Sequence, residues 1–80
     1  MRIISEDRAK DIPYEQSVLL IQDEKIVAVT VGDVMGFFEE LAHPDTLRQA
    51  RAAMDMIVES YVKGAKVVYM DYVMEEVRNE

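Results

Sequence analysis

Eighty residues, half of them apolar and none of them cysteine, make a single domain spanning 1–80 with enough apolar content for a packed core. The missing cysteines exclude a disulfide framework or a thiolate metal site as a supplement to that core. Sixteen acidic against nine basic residues give a net charge of −7, which repels phosphate backbones and weighs against direct nucleic-acid binding.

The opening MRII reads as a short strand and SEDRAKD as a charged loop with no signal-peptide stretch. Pro13 in IPYEQ fixes its own backbone, removes a donor and biases Ile12 toward an extended conformation, which suits a strand entry or an exposed edge. SVLLIQDEKIVAVTVGD then reads as a β-hairpin: two β-branched, apolar runs flank a polar QDEK turn with Asp23 and Glu24 at its centre, a poorer pair than Asn-Gly for a two-residue turn, so that a longer turn stays open. In the tight register Ile21 faces Ile26 and Leu19 faces Ala28 on one side. On the other, Leu20 faces Val27 and Val18 faces Val29. Both faces are apolar at their centres, whereas a hairpin covered on one side only alternates more cleanly. The second face (Val18, Leu20, Val27, Val29) is therefore a candidate interface, covered either by the chain itself or by another copy. VLLI and IVAV are too short to span a bilayer, so no membrane partner is expected and the chain reads as soluble and cytoplasmic.

The stretch 33–43 is open between strand and helix. Glu39, Glu40, Leu41 and Ala42 favour helix, while Gly32 and Gly36 suggest a turn before a third strand. Over 45–63 the spacing of Leu47, Ala50, Met54, Ile57, Val58 and Tyr61 predicts an amphipathic helix. Arg51 with Asp55 and Glu59 with Lys63 form opposite-charge pairs four residues apart, and Gly64 is placed to end the helix in a left-handed cap. Met56, with Ala52 and Ala53, falls off the stripe and makes a second candidate contact patch. AKVVYMDYV reads as a terminal strand and MEEVRNE as a charged tail that frays or forms one loose turn.

His43 is the single histidine, so it is the first place to look for chemistry. It precedes Pro44, Asp45 and Thr46, a cluster that starting a helix explains. Either His43 caps with Pro44 first in the helix, or Asp45 caps with Thr46 first, and Asp45 is the stronger capping residue. The adjacent carboxylates Glu6/Asp7, Asp23/Glu24, Glu39/Glu40 and Glu75/Glu76 lack the spacing of a calcium loop. No serine carries a nucleophile-elbow pattern and no glycine-rich phosphate loop is present. Tyr14, Tyr61, Tyr69 and Tyr72 read as core or interface packing, since no basic patch accompanies them.

The opening MRIIS, the DIPYE that follows, the hairpin, and the block TLRQARAAMDMIVESYVKGAKVVYM together resemble a family of small uncharacterised proteins encoded by Firmicutes and their phages or prophages. The chain departs from that pattern around GDVMGFFEELAHP, where the family shows a tyrosine-containing strand. The resemblance implies Asp45 rather than His43 as the helix cap, and implies no catalytic residues or cofactor. The expected architecture is α+β: a mainly antiparallel 3–5-stranded sheet with one amphipathic helix (about 45–63) packed on one face. The expected function is non-enzymatic and needs no cofactor: a phage- or mobile-element-like interaction module that contacts a protein partner or further copies of itself through Val18, Leu20, Val27, Val29 and Met56. The alternative is an acidic inhibitor or nucleic-acid mimic occupying a basic site on a host protein, with binding that collapses in high salt.

Overall fold

The computed structural model describes residues 1–30 and 38–79. Its elements run β1 (Arg2–Ile4), β2 (Asp11–Pro13), a 3-10 turn (Tyr14–Gln16), β3 (Ser17–Gln22), β4 (Lys25–Thr30), β5 (Glu39–Ala42), α1 (Leu47–Val62), β6 (Val67–Tyr69) and α2 (Met70–Arg78). The class is α+β, but there are two three-stranded sheets where one was expected, and two helices. The first sheet has the order β2-β1-β6, antiparallel between β1 and β2 and parallel between β1 and β6. The second is the antiparallel meander β3-β4-β5. Pro13 and the 3-10 turn that follows it break the extended run, and the chain changes sheets there.

The hairpin forms in the expected register, with Ile21 opposite Ile26 and Val18 opposite Val29. Its two turn residues, Asp23 and Glu24, both take positive φ, +52° and +66°, the backbone that makes a two-residue turn follow the strand twist. Within 33–43 the strand reading holds for 39–42, which pairs with β4 through a bulge at Ile26/Val27; residues 33–37 lie outside the described residues.

Two helix expectations are corrected. Thr46, not Asp45, is the N-cap of α1: its hydroxyl accepts from the Gln49 N–H at 3.1 Å, and the Gln49 side-chain oxygen accepts from the Asp45 N–H at 2.9 Å. The threonine cap and the glutamine three residues on resemble a capping box shifted by one residue, since Gln49 reaches the N–H before the cap, and they displace the carboxylate that sequence preference ranks higher. At the other end Gly64, at φ +83°, closes the helix as expected, with the Gly64 N–H on the Tyr61 carbonyl and the Ala65 N–H on that of Ser60. Glu59 and Lys63 pair at 2.7 Å.

The second correction is the terminal segment. Only Val67–Tyr69 is strand, and helix begins at once at Met70. Met70, Val73, Met74 and Val77 are all buried, and their spacing of three, one and three is that of a helix face. α2 packs against α1 and rotates the buried face of α1 toward itself. Ala50, Ala53 and Ile57 are buried there, while Leu47, Val58 and Tyr61 of the expected stripe stay exposed. The core gathers Ile3, Ile12 and Val68 of the first sheet, Ile26, Ala28, Leu41 and Ala42 of the second, and these helix residues. No helix among the described residues is long and apolar enough to cross a membrane.

Candidate interaction surface

Alternation along the hairpin sends Leu19, Ile21, Ile26 and Ala28 to one face and Val18, Leu20, Val27 and Val29 to the other. Ile26 and Ala28 belong to the core, so the first face points inward. On the outer face Val27, in the central strand between Leu20 of β3 and Glu40 of β5, is only 4% exposed. Val18, on the edge strand, is 49% exposed, and Leu20 and Val29 are half-buried. Four of the five residues singled out as contact residues thus lie together on one sheet face. The fifth, Met56, is half-buried and packs on the core beside Ala52 rather than standing in a patch of its own. The α2 helix, which sequence reading took for strand and tail, packs on α1, and these side chains are partly buried.

His43 stands with its side chain 57% exposed and its Nε2 3.1 Å from a Glu40 carboxylate oxygen. Its backbone does more than its ring. The His43 N–H donates to Glu6 Oε1 at 3.1 Å, and its carbonyl accepts from Arg78 at 2.8 Å. Arg78 also pairs with Glu6 at 2.6 Å and lies 3.7 Å from Asp45. One guanidinium therefore ties the β1–β2 loop, the start of α1 and the end of α2 together, the planar fork suiting several acceptors at once. A concavity of about 220 Å³ beside it is lined by Glu6, Asp7, Lys10, Glu40, Leu41 and His43. Among the described residues no group of three or more histidine and carboxylate side chains is arranged to hold a metal ion.

Two aromatic features escaped sequence reading. Arg8, in the β1–β2 loop, has φ +59°, a conformation uncommon outside glycine and asparagine. Its guanidinium lies 4.7 Å from the Tyr69 ring centre and 5.4 Å from that of Tyr72, and it donates to Asp71 Oδ2 at 2.9 and 3.1 Å. The other oxygen, Asp71 Oδ1, is buried without a hydrogen-bond partner among the described residues. Tyr69 and Tyr72 meet edge to face at 5.8 Å, and both are exposed. The second feature is a groove of about 380 Å³ between β3 and α1, lined by Tyr14, Ser17, Leu19, Met54, Val58 and Tyr61 among others. The Tyr14 and Tyr61 rings are 4.8 Å apart at its wall. The tyrosines were visible in the sequence, but the meeting of Tyr69 and Tyr72 depends on the β6–α2 boundary and that of Tyr14 and Tyr61 on how α1 lies against the 3-10 turn, and neither was legible.

No family model, curated protein or solved structure matches the chain.

Proposed function

We propose that this chain is a small non-enzymatic interaction module, working in the cytoplasm and binding a protein partner or another copy of itself without a cofactor. The observation that carries this reading is the outer hairpin face. Val18, Leu20 and Val29 bring apolar surface to solvent around a buried Val27, on a sheet whose opposite face already fills the core. Exposed apolar side chains scattered singly need no explanation, but neighbours paired across two strands form a patch. Covering it stabilises a complex by roughly 25 cal/mol per Å² removed from water, before the costs of association. The link to phages and mobile elements rests on the resemblance of the opening, hairpin and helix segments described above.

The acidic-mimic alternative calls for carboxylates gathered on one side and left free. Here Glu6, Asp11, Glu40, Glu59 and Asp71 are each paired with a cation, on elements from the β1–β2 loop to α2. That distribution favours the apolar face as the working surface.

The test uses Val29→Lys, which places a charge on the outer face at a half-buried position opposite Val18, two residues along β4 from the buried Val27. Wild type and variant, each tagged and each shown folded by circular dichroism, are used to capture partners from the source organism's lysate at low and high salt. The reading expects a protein held by wild type in high salt and lost with Val29→Lys. Identical recovery with both, or a partner released by salt alone, would count against it.

A further inference from the structure

We propose that a second copy of this chain adds its β3 to the free edge of β3, making a six-stranded sheet across a two-fold axis with α1 packed on α1 of the second copy over the junction. The inference rests on the reading of the chain as an interaction module and names one of its partners.

The first argument is hydrogen bonding. In the order β3-β4-β5, β3 is an edge strand. Gln22 and Lys25 flank a two-residue turn, so they form a hydrogen-bonded pair, and alternation turns the main chain of Val18, Leu20 and Gln22 toward β4. The N–H and C=O groups of Leu19 and Ile21 then point away from the sheet, with no backbone partner among the described residues. The Ser17 N–H is already taken by the Tyr14 carbonyl.

The second argument is what this edge lacks. Natural edge strands are blunted by lysine, proline or a bulge. β3 reads SVLLIQ, six residues without a charge, a proline or a glycine. The bulge in this sheet sits between β4 and β5, on the far side, and the β3–β4 register runs without one.

The third argument is the helix alongside. The groove of about 380 Å³ lies between β3 and α1, and the inward side chains of a strand added beside β3 would face it. Its wall is the stripe Met54, Val58 and Tyr61, with Val62, 77% exposed, next to it. Antiparallel pairing about Leu20 places Leu19 opposite Ile21 of the other copy twice, making four main-chain hydrogen bonds from the outward groups. Both side chains then face the groove side, and the two-fold axis brings the α1 stripes together.

Charge and area allow the same occupant. Glu15 is the one charged residue lining the groove, and its carboxylate is paired with the amino group of Met1. The net charge of −7 opposes association, and salt screens that repulsion. A specific interface takes roughly 800 Å² from each partner, about 15% of the 5201 Å² surface here. An edge about 20 Å long and a helix about 24 Å long supply a patch of that order.

Light scattering after size exclusion, over about a hundredfold range of concentration, tests the inference together with amide hydrogen exchange. The wild type should dimerise at the upper end. The variant Val58→Glu/Tyr61→Glu, altered at two exposed positions, should keep its fold and dimerise at least about tenfold more weakly. In the dimer the Leu19 and Ile21 amides should be protected and lose protection on dilution, while the Leu20 amide stays protected throughout. A wild type that is monomeric at every concentration would overturn the proposal, as would a dimer whose Leu19 and Ile21 amides exchange freely. Val29→Lys should leave the dimer intact. A monomer that still captures a partner through Val29 defeats only the second-copy proposal; a dimer with no Val29-dependent partner defeats only the outer-face reading.

Discussion

Asp23 and Glu24 occupy a turn whose geometry asks for Asn-Gly, and both accept a left-handed backbone to make it. For an L-residue that conformation costs roughly 1–2 kcal/mol relative to a right-handed one, glutamate lacking even the local hydrogen bonding that helps aspartate. The double substitution Asp23→Asn/Glu24→Gly keeps the register and removes most of that strain, as well as two of the surplus negative charges. It should stabilise the protein by about 1 kcal/mol, which in a domain of this size raises Tm by roughly 4–8 °C. Thermal melts followed by circular dichroism would show the gain; an unchanged or lower Tm would mean that the turn is not strained as described. Arg8 holds its left-handed backbone for a different reason, since its side chain is engaged with Asp71 and two tyrosine rings. There, glycine would relieve the backbone and lose the contacts together.

The α2 helix shows where sequence reading stopped. Val67, Val68, Tyr69, Tyr72 and Val73 are strand-favouring types, and local preference extends the strand through all of them. What decides otherwise is burial: Met70, Val73, Met74 and Val77 fit one helix face and complete the core against α1. Met74, fully buried, should therefore matter far more than its neighbours. Met74→Ala should cost about 2–5 kcal/mol, enough to threaten a fold this small, whereas exposed Glu75→Ala should stay within about 0.5 kcal/mol. Urea titrations of the two variants would compare them directly, and similar midpoints would argue that α2 is not part of the core. The hairpin, by contrast, was legible from short-range alternation, and its pairing followed for a two-residue turn; the turn length itself stayed open because Asp23 and Glu24 are poor residues for the left-handed backbone they adopt. The α1 helix was legible in extent but not in which face is buried, since its partner α2 was unread. The outer hairpin face followed from the hairpin alone; the groove beside β3 could not, because it needs the placement of α1 relative to that edge.

Acid stability follows from how the paired carboxylates are held. The Ser5 hydroxyl and the Ala9 N–H hold the Asp7 carboxyl below its usual range, the Arg2 guanidinium does the same for Asp11, and the Lys63 ammonium for Glu59. Each native pKa is thus lower than its unfolded value, so below neutrality the unfolded chain binds more protons than the folded one. The contribution is present in full above the ordinary carboxylate range, near pH 4, and is lost as pH falls through the lowered native values. These groups are exposed, so water and salt screen the effect. Urea midpoints should stay level from pH 7 to about 5 and fall below about 4. The combined variant Asp7→Asn/Asp11→Asn/Glu59→Gln should show a shallower fall, and an equally steep one would place the acid sensitivity in other carboxylates. Association should respond already over the upper part of that range, where stability is level. As the charge of −7 shrinks, repulsion between two copies weakens, so the dimer should tighten between pH 7 and 5 while the fold is still at full stability. Added salt at pH 7 should tighten it in the same way, by screening that repulsion. A dimer that instead loosened with salt would be held by ion pairs, and the uncharged β3 edge and apolar α1 stripe would not be its interface.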